Sequence, residues 1–296
     1  MPEIQKKVLL SEKTKAGYEI GGEADYFVSV CNTDEIKQVL DFARKENIPY
    51  FVLGNGTNVL VSDKGYRGLV INTRRIEGVF ISQNTVRAEA GALLSSFVND
   101  VVLAGLGGVE ELSGIPGTLG GAVYMNAGAY SQTISDHITK ICIYDCDSDK
   151  EVIVSKEEAN FGYRSSAFQK RNCIILWAEF EFPIKVSIGI LLARQNEIME
   201  RRKNKQPLEH KSCGSVFKRP PDNYAGKLIE QSGLKGYSVG MAQVSEKHAN
   251  FIVNKGGATA ENIRAVIAEV RRVVNIKFQT LLETETIFLG EFETEI

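Results

Sequence analysis

Apolar positions recur along this chain with two periods. Between Asp34 and Asn47, residues Ile36, Val39, Leu40 and Ala43 fall three and four apart, which places them on one helical face. Thr33 is the expected N-cap, and Pro49 marks the exit. The same period predicts a helix over 93–104, with Leu94, Phe97, Val98 and Val101 facing inward and Gly105 as its stop. Another is predicted over 260–275 on Ile263, Val266, Ile267, Val270 and Val274. A longer helix begins at Ser187 and ends in Arg201-Arg202-Lys203, cations suited to a helix C-terminus. A short one over 224–232 is closed by Gly233.

Short apolar or alternating runs predict strands over 25–30, 50–53, 58–61, 68–71, 79–81, 86–90, 138–144, 151–154, 173–182, 251–254 and 286–289. The stretch from 25 to 53 reads as a βαβ unit whose second strand runs into a glycine loop, where open α/β sheets hold ligands. Lys205-Gln206-Pro207 breaks the helical pattern, so a domain boundary is expected nearby, with a smaller α+β unit after it.

Two glycine-rich stretches stand out against this pattern. The first is Leu53-Gly54-Asn55-Gly56-Thr57-Asn58, and the second runs from Ser113 to Tyr130 as SGIPGTLGGAVYMNAGAY. Glycine adopts φ > 0 at little cost and leaves backbone N–H groups free to face phosphate oxygens. Two such stretches, each beside a strand-like run, suit a ligand with a pyrophosphate and a large planar body. The plainer reading is a pair of tight turns in a β-rich domain.

Composition narrows the classes. The 296 residues suffice for two or three domains, with 43% hydrophobic and 24% charged residues. A net charge of −2 gives no basic face for nucleic acid. No apolar run is long enough to span a bilayer, and the start lacks the marks of a signal peptide, so a cytoplasmic protein is expected. Cys31, Cys142, Cys146, Cys173 and Cys213 are irregularly spaced and only His137, His210 and His248 accompany them, so no metal site is expected. Buried free thiols are expected instead.

Some motifs mislead. Gly236-Tyr-Ser238-Val-Gly240 has the Gly-x-Ser-x-Gly form of a hydrolase elbow, but no aspartate follows the serine and strand-like sequence stands where a helix should begin. Val59 replaces the third glycine of a dinucleotide fingerprint after Gly54, and Gly226-Lys227 lacks the upstream glycine of a phosphate-binding P-loop. Three other places carry chemistry: Phe161 to Ser166 around Arg164, Ser212 to Pro221 around Gly214, and Leu282 to Ile287 with its acids.

Taken in order with the glycine loops, these segments resemble the bacterial UDP-N-acetylenolpyruvoylglucosamine reductase family, from Ile20-Gly-Gly-Glu-Ala-Asp25 to Glu283-Thr-Glu-Thr-Ile-Phe-Leu-Gly290. The most specific pieces are 114–122, 125–130, 162–164, 205–207, 214–218 and 244–249. The short spacing from Tyr163 to Ser215 resembles the branch that lacks an extra substrate-capping tyrosine loop.

The resemblance implies an α+β fold. A two-part FAD-binding region of the vanillyl-alcohol-oxidase/PCMH type would span 1–203, as about 1–72 and 73–203. A smaller α+β substrate domain, 204–296, would close over the sugar nucleotide. It further implies that FAD, reduced by NADPH, passes a hydride to the enolpyruvyl group of UDP-N-acetylglucosamine enolpyruvate, completing UDP-N-acetylmuramate for the cell wall. On the family pattern Arg164 and Glu285 stabilise the enolate-like intermediate, and Ser215 donates the proton to the second carbon. A guanidinium can grip a carboxylate with two hydrogen bonds, whereas a glutamate helps beside an anion only if it holds or shares a proton.

The implied FAD contacts are Gly54, Asn55, Gly56, Thr57, Asn58, Ser113, Gly114, Ile115, Gly117, Thr118, Gly120, Gly121, Asn126, Gly128 and Ala129. The implied substrate contacts are Tyr163, Lys205 and Lys218, while Arg219 departs from the family's asparagine. Neither glycine stretch holds His or Cys, so a non-covalent flavin is expected, in a monomer without nucleic-acid or membrane partners. Two rivals remain: a sugar or hydroxyacid oxidase of the same fold, and a flavin- or nucleotide-binding module without turnover.

Overall fold

The computed structural model describes residues 1–14, 17–183 and 185–296. They form two compact units from interleaved segments. The first comprises 1–5, 27–55 and 69–202, and the second 6–26, 56–68 and 203–296. This differs from a single cut at 203/204, because Tyr18, Ile20 and Leu60 share a buried core with Val216, Ile229 and Ile267. The first glycine loop is where the chain passes from one unit to the next, between Asn55 and Gly56.

In the first unit, five antiparallel strands stand in the order Lys150–Ser155, Ile138–Asp145, Cys173–Glu181, Thr85–Glu89, Val79–Ser82. Thr85–Glu89 alternates as a half-buried strand should, with Val86 and Ala88 buried and Arg87 exposed. Against these strands pack Phe97, Val98, Val101 and Val102 of the Leu94–Leu103 helix, with the Phe97 and Phe180 ring centroids 4.7 Å apart. Deleting one such ring from a filled core costs about 3–5 kcal/mol, so this layer fixes the frame on which the loops sit.

The Thr33–Lys45 helix buries the four predicted residues, but its cap is Asn32 rather than Thr33. Asn32 keeps extended backbone and its side chain accepts from Glu35 N at 2.9 Å, while Thr33 is already helical. The helix leads into Tyr50–Leu53, which pairs in parallel with Leu69 to Asn72. In the sheet order Tyr66–Asn72 stands between Glu23–Ser29 and Tyr50–Leu53, so the βαβ crossover skips one strand position.

In the second unit, Ser238–Val239, Ala242–Val244 and Ile252–Asn254 form a three-stranded antiparallel sheet. The Ala260–Phe278 helix lays Ile263, Val266, Ile267, Val270 and Val274 into the core. Its N-terminus is a capping box between Thr259 and Asn262, and it runs three residues past the predicted end, to Gln279 in left-handed conformation. Val59–Val61 pairs in parallel with Ile287–Leu289. The Gly-x-Ser-x-Gly segment turns out to be a hairpin, Ser238 opposite Gln243 and Val239 opposite Ala242, with Gly240 at φ 53° in the turn. A strand–turn–strand geometry has no nucleophile elbow.

Candidate functional site

Gly54 of the first glycine stretch lies against Thr118 of the second, about sixty residues away in sequence, both within the first unit. A Cβ placed on Gly54 would collide with Oγ1 of Thr118, so only glycine lets the first loop lie against the second. Thr118 caps the Leu119–Met125 helix, a helix that periodicity missed because Gly120 and Gly121 dilute its pattern. Its flanks did carry a signal: Thr118 at the N-cap and Asn126, with φ 45°, at the C-cap.

The first N–H groups of this helix are already engaged. Leu119 N bonds Ala92 O at 2.9 Å, Gly120 N bonds Ala90 O at 2.8 Å, and Gly121 N bonds Thr118 Oγ1 at 3.3 Å. An anion at this place must therefore meet the backbone ahead of the helix, where Gly114 and Gly117 take φ of 77° and 127°. Gly56 in the first loop has φ 69° and is buried against Thr14 in the second unit. Ser113 is turned inward, its Oγ donating to Glu110 O at 2.6 Å.

Asn126 is buried, and its Nδ2 donates to Gly162 O at 2.9 Å. A carbonyl can only accept, so the amide's orientation is fixed. Its Oδ1 then has no hydrogen-bond partner among the described residues. A buried acceptor without a donor is costly, and a ligand N–H is the natural completion.

Arg164 occupies the third position of the tight turn from Gly162 to Ser165, closed by Gly162 N to Ser165 O at 3.0 Å and Ser165 N to Gly162 O at 3.2 Å. Its φ of 51° is unusual for a long side chain and costs on the order of 1 kcal/mol or more. The guanidinium donates from Nη2 to Gly128 O at 2.7 Å, with Nη1 and Asn126 O at 3.4 Å, and lies 5.2 Å from the Tyr163 ring. Gly128 and Asn126 thus serve Arg164 directly, and the Tyr163 ring is exposed.

In the second unit Ser215 and Glu285 lie on neighbouring extended segments. Glu285 N donates to Val216 O at 2.7 Å, Lys218 N to Glu283 O at 2.9 Å, and Phe217 is bridged to Thr284. On the other side Val216 N donates to Asn250 O at 2.8 Å and Ser215 is bridged to Phe251. Gly214, at φ 74° with open space where a Cβ would stand, turns the chain into this segment. Asn58, the last residue of the first glycine loop, donates to Glu285 O at 3.1 Å and accepts from Ile287 N at 2.9 Å. The loop's end is therefore tied to the Glu285 segment by one side-chain amide bond and one backbone bond, both to main-chain atoms.

The thiol two residues from Ser215 is a different environment. Cys213 is buried, its Sγ lies 3.5 Å from Val59 O, and burial pushes its pKa up to about 12. Ser215 is only half-buried. Of the two, the hydroxyl is the accessible donor. All five thiols are free, with Cys142, Cys146 and Cys213 buried and Cys31 and Cys173 half-buried. Among the described residues no group of three or more His, Cys, Asp or Glu could hold a metal ion, and no helix is long and apolar enough to cross a membrane.

Of the expected substrate contacts, Lys218 is half-buried with Nζ 3.5 Å from Glu283, and Lys205 is exposed at the end of the Ile188–Lys205 helix. Arg219 stacks 4.8 Å from the Tyr224 ring. Sequence reasoning missed the use made of two other cations. Arg201 and Arg202, read as helix-end charges, turn toward the second glycine stretch. Arg201 lies 4.6 Å over the Tyr130 ring, and a Cβ on Gly114 would stand 2.9 Å from Arg202 Nε. Burial lowers the Arg202 pKa, and a guanidinium that is desolvated yet charged is a strong anion partner.

Comparison with known proteins gives the same answer at several scales. Residues 24–149 match the family model described as FAD binding domain, and residues 206–289 match the UDP-N-acetylenolpyruvoylglucosamine reductase C-terminal domain. The reductase of that name from Caldicellulosiruptor bescii is 46% identical over 94% of this chain and 89% of its own. The one from Clostridium novyi is 43% identical over 98% of this chain and 93% of its own. The crystal structure of the Thermus caldophilus reductase superposes with a TM-score of 0.83 at 33% identity, covering 98% of this chain and all of that one. The chain belongs to the UDP-N-acetylenolpyruvoylglucosamine reductase family of FAD-binding oxidoreductases.

Proposed function

We propose that this protein reduces UDP-N-acetylglucosamine enolpyruvate to UDP-N-acetylmuramate in peptidoglycan precursor synthesis, in the cytoplasm, with NADPH as co-substrate and FAD held non-covalently. The first unit supplies the flavin region and the second, with its segments 6–26, 56–68 and 203–296, the substrate part. The observation that carries this reading is the hydrogen-bonded pairing of the Ser215 segment with the Glu285 segment, with the neighbouring thiol of Cys213 buried and un-ionised.

The residues present fit the flavin. Gly54 packed on Thr118 brings two distant glycine stretches into contact, and the Asn126 Oδ1 is an acceptor lacking a donor among the described residues, which flavin and adenine N–H groups can supply. Backbone at Gly114–Thr118 and Gly54–Asn55, with Arg202 beside Gly114, would hold the pyrophosphate. When bound, FAD supplies the two-electron chemistry, accepting a hydride from the nicotinamide and delivering one to the methylene carbon of the enolpyruvyl group.

This chain's own residues then manage charge and the proton. Hydride addition leaves negative charge spread over the second carbon and the adjacent carboxylate. Arg164, fixed by Gly128 O, offers a permanent cation with directed donors to that charge. Glu285, carrying or sharing a proton, donates a hydrogen bond to the same system. Ser215 Oγ gives its proton to the second carbon; a serine is a weak acid, but an enolate carbon is a strong base. Lys205, Lys218 and Tyr163 contact the substrate.

The test separates the two half-reactions. In Ser215→Ala, NADPH should still bleach the flavin at the wild-type rate, while reoxidation by the enolpyruvyl substrate without oxygen slows by roughly 10²–10⁴-fold, the usual range for a lost general acid. Equal slowing of both halves removes the serine from the proton's path.

A further inference from the structure

Two carboxylates just ahead of the second glycine stretch are almost fully buried: Glu110 at 4% and Glu111 at 6% exposure. The network around them is complete. Glu111 Oε1 is paired with Arg194 Nη2 at 2.5 Å, and its Oε2 accepts from both N and Oγ of Ser131, at 2.8 and 2.7 Å. Glu110 Oε2 accepts from Gly108 N at 2.7 Å, and its Oε1 lies 3.2 Å from Gln132 Nε2 and 3.6 Å from Arg194 Nε. Gln132 Oε1 in turn accepts from Glu111 N at 2.8 Å. Burial pushes the Glu111 carboxyl up, but Ser131 and Arg194 outweigh it and hold the pKa below the ordinary glutamate range.

Burying two acids with one arginine adds little stability over an apolar cluster of the same size, so its use is better sought in what it positions. All the hairpin contacts fall on Ser131 and Gln132, at the return of the Gly128–Ala129 and Gln132–Thr133 hairpin. That hairpin's Gly128 carbonyl is the 2.7 Å acceptor for Arg164, and a Cβ on Gly128 would come 3.3 Å from Arg164 Nη1. A chain of short polar contacts therefore runs from Arg194, on the Ile188–Lys205 helix, through Glu111 and Ser131 to the hairpin and Arg164, all within one unit.

We infer that Glu111, charge-paired with Arg194, is a positioning residue for Arg164, acting through the Ser131 turn and the Gly128 carbonyl. The inference rests on the role proposed for Arg164. It predicts that losing the Glu111 charge shifts the guanidinium rather than unmaking the fold. Misplacement by about 1 Å can cost up to roughly 10²-fold in rate.

The experiment is a double-mutant cycle on the flavin-loaded protein, reading anaerobic flavin reoxidation by UDP-N-acetylglucosamine enolpyruvate. Glu111→Gln should slow this step about 10- to 100-fold through its limiting rate rather than its half-saturation, and leave NADPH reduction within about twofold. In the Arg164→Ala background the same substitution should add less than about twofold. Its melting temperature shift should be equal in both backgrounds. Full additivity in the reoxidation rate, or equal slowing of both half-reactions, overturns the inference. If Arg164→Ala alone leaves reoxidation unchanged, the Arg164 reading fails first and this one falls with it. Should Glu111→Gln not fold, Ser131→Ala, which removes a single hydroxyl from an exposed turn residue, takes its place in the cycle with the same expected pattern.

Discussion

The role proposed for Arg164 comes at a local cost in backbone strain. Its left-handed backbone would suit glycine better, so Arg164→Gly relieves backbone strain while removing the guanidinium. Added chain entropy in the unfolded state roughly offsets that relief, so stability to urea at saturating FAD should stay within about 1 kcal/mol of wild type. Substrate reoxidation of the reduced flavin should nevertheless fall by at least about 10²-fold, the scale of one lost charge-stabilising donor. Glu285 makes a second test at this scale. If it acts by donating a hydrogen bond, Glu285→Gln should keep more of the reoxidation rate than Glu285→Ala; equal losses in both would instead require the acid itself. Arg164, Ser215 and Glu285 can be proposed from the sequence because each sits in a compact local motif. Glu111, Arg194 and Arg202 were not, since their roles depend on partners 20 to 88 positions away: Glu111 on Ser131 and Arg194, Arg202 on Gly114.

Elements with strong periodicity were read well. The helices Leu94–Leu103 and Ala260–Phe278 and the strands of the five-stranded sheet fall within a few residues of their predicted ends, because each buries one face and exposes the other. Elements whose residues serve tight approach rather than burial were missed. Leu119–Met125 is a helix in spite of two glycines because Thr118 caps it and Ala90 and Ala92 take its N–H groups. Gln5–Leu9 is mostly exposed, so no apolar alternation marks it. The contact of Gly54 with Thr118 yields a prediction at this scale. Thr118→Ala should cost about 1 kcal/mol as a lost cap. Gly54→Ala should destabilise the wild type by more than it destabilises Thr118→Ala, because the colliding Oγ1 is then gone. Urea midpoints of the four proteins at saturating FAD measure this, and strict additivity would show that the two stretches do not touch.

At the scale of the whole molecule, the sequence suggested a boundary after residue 203 but hid the interleaving, because 6–26 and 56–68 look like ordinary N-terminal strand and loop. Only the parallel pairing of Val59–Val61 with Ile287–Leu289 and the shared core reveal where they belong. The first unit also carries an acid-sensitive clasp at the end of its sheet. Asp145 accepts from Ser148 N and Oγ and from two nitrogens of Arg171, and these bonds, the Ser148 N–H foremost, hold its pKa far below the ordinary aspartate range. A carboxyl depressed in the folded state contributes stability above about pH 4, which is lost as pH falls through its folded value. Arg171→Gln raises that folded value toward the ordinary one. The acid-unfolding midpoint followed by circular dichroism should therefore move to higher pH, and an unchanged midpoint would remove Asp145 from the acid response. Whether a dissociable flavin in this chain carries electrons from NADPH to an enolpyruvyl sugar nucleotide can be read from the visible spectrum of the purified protein followed without oxygen. The protein should be yellow, release its FAD on acid precipitation, bleach with NADPH and regain its colour when UDP-N-acetylglucosamine enolpyruvate is added. A protein that takes up no FAD, or whose bleached flavin stays bleached until oxygen is admitted, would contradict the proposed function.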